Sequence, residues 1–272
     1  KDVVSFDMNE LPFQGVANFA VYVDNKNTYL SSTNYNRNVG TSFFGGTNVD
    51  VIRVGCTGVN TMEGNIVIGS VVSEIAGRAF QHCASLTSIL FEAGSQLQEV
   101  GGMAFSESGI NHITIPASVT SLKADTFSQC SQLESVSFEP NSELPRISTG
   151  MFYASGLNVI IIPKSVTEIA ANAFKDCRNL TSVTFETQSQ LTTIGNASFA
   201  ASALKYISIP TNVMHISENA FLGVSHFTIY FEDFNQTMHH FDGVEKLKWG
   251  YNANFMGGNS VTILRRKRCD DG

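Results

Sequence analysis

The sequence predicts a repeat solenoid, in which short coils stack along one axis and a parallel β-sheet covers one face. Two observations support this fold class. Seven phenylalanines recur with alternating separations of 25 and 22 residues, and each lies five positions after an aliphatic residue. A second string then follows most of them, with apolar residues at positions 1, 4 and 6. Self-similarity at a period of roughly 20 to 50 residues indicates stacked supersecondary units. The phenylalanines are Phe80, Phe105, Phe127, Phe152, Phe174, Phe199 and Phe221.

The second string predicts the strand of each coil. Ile89 and Phe91 alternate with Ser88 and Leu90, and a period of two is typical of a strand with one buried face. One coil cannot bury that face alone, so neighbouring coils must cover it and their strands align in parallel. The phenylalanine column fills the opposite side of the interior, where a buried ring contributes about 2–3 kcal/mol relative to an exposed one.

The alternating separations predict a 47-residue unit made of two coils. Short coils end their strand in Ile-Pro, and the strand stops there because proline lacks the N–H that a ladder uses. Long coils end in Phe-Glu and a polar loop. The short-coil pairs are Ile115-Pro116, Ile162-Pro163 and Ile209-Pro210, and the long-coil pairs are Phe91-Glu92, Phe138-Glu139 and Phe185-Glu186.

The chain is predicted to be mostly strands and turns, capped at both ends, because a bare terminal coil would expose an unpaired apolar face. The first segment is a β-rich cap in which residues 19–23 alternate and residues 39–54 form a degenerate coil. The closing cap contains the only tryptophan, Trp249. The predicted segments are 1–65 (N-terminal cap), 66–231 (regular array), 232–264 (C-terminal cap) and 265–272 (basic tail).

Composition limits the classes of partner. The net charge of −7 and the charged content of 15% argue against nucleic acid or an anionic membrane surface. No run of 18 apolar residues occurs, so we expect membrane attachment only through an anchor outside this chain. The sequence begins at Lys1 without a methionine or an apolar leader, and it is therefore expected to be a processed product or an excised fragment.

All five cysteines are predicted to be free thiols. Cys83, Cys130 and Cys177 recur 47 residues apart, three positions after a column phenylalanine. Equivalent positions two coils apart are separated by about 10 Å, which is too far for a disulfide. Cys56 and Cys269 belong to opposite ends of the stack and are not expected to meet.

The search for catalytic or metal chemistry gives no specific motif: the sequence has no phosphate-binding glycine loop, nucleophile elbow or zinc-type cysteine pair. We expect no enzyme activity, cofactor or metal site. His239-His240 suits either a metal site or a polar cap loop. The recurring glutamates Glu92, Glu139 and Glu186 suit either Ca²⁺ or a solvated edge, and their spacing of roughly 10 Å favours the edge.

The densest charge in the chain is the run Arg265-Arg266-Lys267-Arg268. Four interpretations remain open for it. It suits a convertase cleavage site, a basic stop before a membrane anchor, a nuclear signal or a solvated tail.

The outward face of the predicted sheet is the candidate binding surface, since a curved solenoid offers it as an extended area. Most outward positions carry serine or threonine. Six larger side chains stand out, and an exposed apolar patch of this kind can mark a protein contact. The alternative is that β-branched residues simply favour strands. The six are Leu90, His112, Val159, Ile161, Tyr206 and His226.

The repeat strings resemble the BspA-type leucine-rich repeat family over roughly residues 66–231. The resemblance rests on residues 166–186 (VTEIAANAFKDCRNLTSVTFE), 191–213 (LTTIGNASFAASALKYISIPTNV) and 119–130 (VTSLKADTFSQC). It implies a leucine-rich-repeat superhelix without a shared active site. The BspA-type family occurs in parasitic protists and in oral and gut bacteria. Its members are mostly secreted or surface-anchored, and several are adhesins.

The resulting hypothesis is a non-catalytic, extracellular or cell-surface interaction module. It would act as a surface adhesin that binds host or matrix proteins, or other cells, through the sheet face. The competing hypothesis is a structural scaffold that assembles with copies of itself through the caps.

Overall fold

The structure, a computed structural model, is a parallel β-solenoid of about seven turns, which confirms the predicted fold class. It describes residues 17–24, 47–54, 64–70, 72–232 and 250–266. Over these residues the regular elements are all strands. Within the same ranges there is no helix with the length and apolar content needed to cross a membrane.

Each coil contributes one strand to a main sheet and a short strand to a second wall. The main-sheet strands are β3 (Gly64–Ile68), β5 (Leu86–Phe91), β7 (His112–Ile115), β9 (Ser135–Phe138), β11 (Val159–Ile162), β13 (Ser182–Phe185), β15 (Tyr206–Ile209) and β17 (Thr228–Glu232). The second-wall strands are β4 (Glu74–Ile75), β6 (Glu99–Val100), β8 (Ser121–Leu122), β10 (Arg146–Ile147), β12 (Glu168–Ile169), β14 (Thr193–Ile194) and β16 (His215–Ile216). The terminal strands are β1 (Ala17–Asp24), β2 (Thr47–Val54), β18 (Gly250–Phe255) and β19 (Gly258–Arg266).

The main sheet has ten strands, in the order β18-β19-β17-β15-β13-β11-β9-β7-β5-β3. Strands β3 to β17 pair in parallel between consecutive coils. Ile113, Ile160 and Ile207 point inward and are buried. As predicted, the short-coil strands end immediately before proline. The long-coil phenylalanines Phe91 and Phe138 are only half-buried, in contrast to the fully buried isoleucines that end the short coils.

The seven column phenylalanines form one continuous stack through the core. Their ring centroids are 5.3 to 5.6 Å apart, and the planes of successive rings differ by at most 15°. Phe227 ends the stack with a tilted ring, 5.1 Å from Phe221. All seven are buried, so the column supplies apolar contact along the whole array.

A third hydrogen-bond ladder runs along the turns that carry this column. The N–H groups of Arg78, Phe80 and His82 donate to carbonyls of the next coil at 2.7 to 2.9 Å. In the turns from Phe80 to Phe199, the residues two before and two after the phenylalanine adopt positive φ, which turns alternate amides along the solenoid axis. Arg78 and His82, for example, have φ of 63° and 61°. Left-handed backbone is uncommon for residues other than glycine, and the ladder compensates for it here.

The second wall is divided into two blocks. Strands β4, β6 and β8 form one sheet, and β10, β12, β14 and β16 form another. The break falls at Pro145, whose counterparts one unit away are Gln98 and Thr192. Each counterpart donates its backbone N–H to the preceding coil at 2.8 Å. Proline has no such donor.

The missing donor leaves a crevice of about 300 Å³ between the coils of β8 and β10, lined in part by Thr120, Leu122 and Arg146. Within the described chain, the Arg146 N–H makes no backbone hydrogen bond to Thr120. The Ser148 hydroxyl donates to the Leu122 carbonyl, where other coils use a backbone amide. Pro145 therefore removes more than its own bond from this wall.

The two ends are β structure where they are described. Strands β1 and β2 pair in parallel as a separate sheet, in agreement with the strand patterns at residues 19–23 and 49–54. Strand β19 pairs in parallel with β17, and β18 closes the sheet edge antiparallel to β19. Arg265 and Arg266 lie within β19, so the last strand runs two residues into the predicted tail. Trp249 and His239-His240 lie outside the described residues.

The prediction that all five cysteines are free is wrong for Cys83, which is disulfide-bonded. Its partner lies outside the described residues, because Cys130 and Cys177 are free. The distance argument holds between equivalent positions in the array, and these two thiols are unbridged as predicted. It failed for Cys83 because it compared only cysteines at the same coil position.

Candidate binding face

The outward side chains of the main sheet form two rows that run across the strands. One row passes through His112, Ser135, Val159, Ser182, Tyr206 and Thr228. The second follows two residues later and contains Leu90, Thr114, Ser137, Ile161, Thr184, Ser208 and Tyr230. We call these two rows the sheet face. Because successive coils are in register, residues far apart in sequence become neighbours here.

Large and small residues alternate along the first row. His112, Val159 and Tyr206 come from short coils, and the serines between them come from long coils. The large aliphatic and aromatic side chains are well exposed: 50% for Val159, 60% for Ile161 and 48% for Tyr206. Strands two apart are separated by about 9.6 Å, so bulky side chains recur along the face at that interval.

The structure brings Val159, Ile161 and Tyr206 into one region, on strands separated only by β13. Leu90 lies at the other end of the sheet face, 51% exposed beside the exposed Val67. His112 lies between these regions, with Nδ1 2.9 Å from the Ser135 hydroxyl on the next strand.

His226, the sixth predicted residue, lies outside the sheet face. The register pairs Tyr206 with Thr228 and Ser208 with Tyr230, so His226 precedes the strand. It is exposed in a turn with φ of 54°, and its N–H donates to the Asn259 carbonyl. The outward pair of this coil is therefore Thr228 and Tyr230.

Tyr230 is the functional candidate that sequence reasoning missed. Spacing alone does not find it, because the first outward residue lies seven positions after the column phenylalanine in short coils and eight in long coils. Phe221 lies 47 residues after Phe174, at the long-coil position, and a count of eight gives Ile229, which is buried. Only the pairing of this strand with β15 identifies Thr228 and Tyr230 as outward.

Tyr206 and Tyr230 border a shallow depression of about 340 Å³. Its lining also includes Val183, Thr184 and Ser208. Tyr206 and Tyr230 come from adjacent strands and from different rows, so their rings lie diagonally across the face. The depression lies beside two aromatic rings and its lining is mainly apolar, which suits an uncharged apolar group of a partner.

Most charged contacts lie away from this depression. On the second wall, Lys123 Nζ is 3.0 Å from Glu99 Oε2, and an Arg146 guanidinium nitrogen is 3.2 Å from Glu168 Oε1. These pairs are exposed and contribute at most about 1 kcal/mol each. The residues that line the depression include no Asp, Glu, Lys or Arg, so a ligand in it would meet no formal charge in the lining; the nearest charged position on these strands in sequence is Glu232 at the end of β17.

The recurring glutamates have a structural role that was not predicted. Glu92, Glu139 and Glu186 each accept a backbone N–H from the preceding coil, at 2.9 to 3.0 Å. For Glu139 and Glu186 the donor directly follows the proline that ends the short strand. Among the described residues no three metal-ligating side chains cluster, and these carboxylates act separately as caps for the turns.

The unbridged thiols are packing groups. Burial raises the pKa of Cys130 and of Cys177 to about 11, against the ordinary value of 9.0. Each thiol donates to a phenylalanine carbonyl of the preceding coil at 2.9 Å. A neutral, enclosed thiol is a poor nucleophile.

Comparison with protein families gives a match to the BspA type leucine rich repeat region, in six copies over residues 59–181 and 145–241. This confirms the resemblance seen in the repeat strings. No curated protein matches the chain.

The chain is similar to solved structures of bacterial proteins. A leucine-rich repeat protein from Bacteroides ovatus is 22% identical with a TM-score of 0.51, and the match covers 74% of this chain and 51% of that one. The chain thus spans about half the length of that protein. A leucine rich cell surface protein from Faecalibacterium prausnitzii is 18% identical with a TM-score of 0.41, covering 79% and 64%. The pneumococcal vaccine antigen PcpA is 13% identical with a TM-score of 0.42, covering 97% and 91%.

Proposed function

The chain belongs to the BspA-type leucine-rich repeat family, and we propose that it is a non-catalytic, extracellular protein-interaction module. More specifically, we propose a surface adhesin that binds host or matrix proteins, or other cells, through the sheet face. The observation that carries the proposal is the group of exposed Val159, Ile161 and Tyr206 side chains on one rigid sheet. An exposed apolar group with a tyrosine suits a protein contact, since tyrosine is favoured at binding hot spots.

Rigidity supports this use of the sheet. The backbone positions of the face are held by parallel pairing on both sides and by the core beneath. A partner would therefore meet preorganised side chains, and little ordering would oppose binding. Leu90 and His112 extend the proposed surface toward the N-terminal coils.

The test compares sheet-face and control variants in binding to cultured epithelial cells and to deposited extracellular matrix. Ile161→Ser with Tyr206→Ala should reduce binding by at least about tenfold, with an unchanged melting temperature because both side chains are exposed. Met214→Ser is the matched control, since Met214 is 65% exposed but lies beside the second wall.

Equal binding by the two variants would place the contact elsewhere and overturn the assignment to the sheet face. If the wild-type chain binds neither cells nor matrix but forms concentration-dependent oligomers, the scaffold hypothesis takes its place. Both outcomes can be read by flow cytometry and sedimentation on the same preparation.

A further inference from the structure

We propose that the sheet face binds an extended, proline-rich segment of its partner, in the polyproline II conformation and lying across the strands. A proline of this segment would occupy the depression between Tyr206 and Tyr230. The inference rests on the proposed function, because it names the class of ligand for the same face. Four features of the molecule support it.

The first feature is that the sheet has no free backbone groups on this face. Strands β11 to β17 each have a parallel neighbour on both sides. A peptide cannot be added as a strand at β11 to β17, because strand addition needs an unpaired edge and the edges of this sheet are β18 and β3. The ligand must therefore be recognised through side chains. A polyproline II segment suits such a surface, because it makes no internal backbone hydrogen bonds and is already extended.

The second feature is spacing. Large side chains recur on every second strand of the first row, at an interval of about 9.6 Å. A polyproline II helix repeats every three residues with a rise of 3.1 Å each, about 9.3 Å per turn. A segment lying across the strands would thus place one residue per turn in each gap between two successive large side chains of the row. These gaps lie over Ser135 and Ser182, between His112, Val159 and Tyr206.

The third feature is the pair of tyrosines. Tyr206 is 48% exposed and Tyr230 is half-buried, on adjacent strands at either side of the depression. Aromatic grooves of this type bind proline rings in other recognition domains. A tyrosine hydroxyl can also donate to the peptide carbonyls that polyproline II leaves exposed, as a smaller contribution than the ring contact.

The fourth feature is charge. The residues that line the depression carry no formal charge; Lys205 directly precedes Tyr206, and Glu232 ends β17. A charged side chain inside the depression would lose hydration without a partner charge in the lining. An uncharged segment avoids this cost.

The test measures binding of a fluorescein-labelled nonaproline peptide to the full chain by fluorescence anisotropy. The comparison probes are a Gly-Ser nonapeptide and an alternating Val-Thr nonapeptide that favours the strand conformation. We expect saturable binding of nonaproline in the micromolar to millimolar range typical of single peptide motifs, on the order of 100 μM, and at least about tenfold weaker binding of both comparison peptides.

Variants locate the site. Tyr206→Ser and Tyr230→Ser should each weaken nonaproline binding by at least about tenfold, whereas Tyr206→Phe should retain most of it. Met214→Ser is the matched control, because Met214 is exposed but lies beside the second wall, and it should change binding less than about twofold. Circular dichroism checks that each variant is folded.

The inference is overturned if nonaproline fails to bind at millimolar concentration, if the Val-Thr peptide binds better, or if both tyrosine variants bind nonaproline as wild type does. Any of these results with retained cell binding that depends on Tyr206 would leave the proposed function in place. If cell binding also does not depend on Tyr206, both the inference and the proposed function are overturned.

Discussion

At the residue scale, the phenylalanine column is the feature on which the core depends most. Phe127 and Phe174 are fully buried and stack between neighbouring rings at 5.3 to 5.6 Å. Phe127→Ala or Phe174→Ala should lower the free energy of unfolding by about 3–5 kcal/mol, through lost apolar burial and the cavity left behind. Urea denaturation measures this loss. A variant with wild-type stability would contradict the stabilising role of the column. Substitution of the exposed Met214 by serine (Met214→Ser) is the control.

The buried thiols predict a dependence of stability on alkaline pH. The pKa of Cys130 and Cys177 is raised by burial to about 11 in the fold, above the ordinary 9.0. Below pH 9 both the folded and unfolded states hold neutral thiols. Between about pH 9 and 11 only the unfolded chain loses these protons, so the free energy of unfolding falls as pH rises.

The control for this prediction is the double variant Cys130→Ser/Cys177→Ser, because serine occupies the same place in neighbouring coils, at Ser108 and Ser155. Lysine and tyrosine titrate equally in both proteins. The stability advantage of wild type over the variant should shrink from pH 8 to pH 10.5. A difference that stays constant over this range would show that the thiols are not desolvated.

The inward or outward position of a residue was predictable where it followed from the strand period. The inward isoleucines and outward Val159, Ile161 and Tyr206 follow from strand alternation, and the structure places them accordingly. The left-handed residues were not predictable. Arg78, Met103 and Glu107 carry no local preference for positive φ, and they adopt it because the next coil offers carbonyls at that position.

At the element scale, the break in the second wall at Pro145 should be reversible by substitution. Pro145→Thr copies the residue one unit away, Thr192, and should restore hydrogen bonds to the Thr120 carbonyl. Two such bonds contribute about 1–3 kcal/mol, and the lost rigidity of proline offsets about 0.4–1 kcal/mol. We expect a net gain of about 1 kcal/mol in urea denaturation, with slower hydrogen exchange at the Arg146 amide.

The reverse exchange supplies the control. Thr192→Pro removes the donor that bonds to the Thr167 carbonyl at 2.8 Å and should destabilise the chain by about 1–3 kcal/mol. If Pro145→Thr is less stable than wild type and the Arg146 amide exchanges as before, then the break in the second wall does not originate at this proline.

Strands were predictable as elements, but their exact pairing was not. The Ile-Pro rule gave the ends of β7, β11 and β15. The last coil was assigned two residues out of register because Phe227 and Ile229 match the apolar string as well as Ile229 and Phe231 do. Only pairing with β15 selects between them. The break at Pro145 depends likewise on a neighbouring coil.

At the scale of the whole molecule, the repeat made the architecture predictable while the bridge at Cys83 was not. A period in sequence fixes which coils touch, and hence the sheet, the column and the sheet face. A disulfide to a cysteine outside the described residues joins positions that share no repeat, so no spacing rule applies to it. The binding role of the sheet face likewise does not follow from the repeat period, because it depends on a partner.

Stacked coils contact only their neighbours, so energetic coupling between substitutions should decay within one coil. Phe105 stacks on Phe127 with centroids 5.3 Å apart, whereas Phe199 lies four coils beyond Phe105. In a double-mutant cycle with Phe→Leu, which keeps the chain folded, the adjacent pair should show a coupling energy of about 0.5–1 kcal/mol. The distant pair should be additive within about 0.5 kcal/mol. Equal coupling in both cycles would show that the array responds as one cooperative body rather than coil by coil.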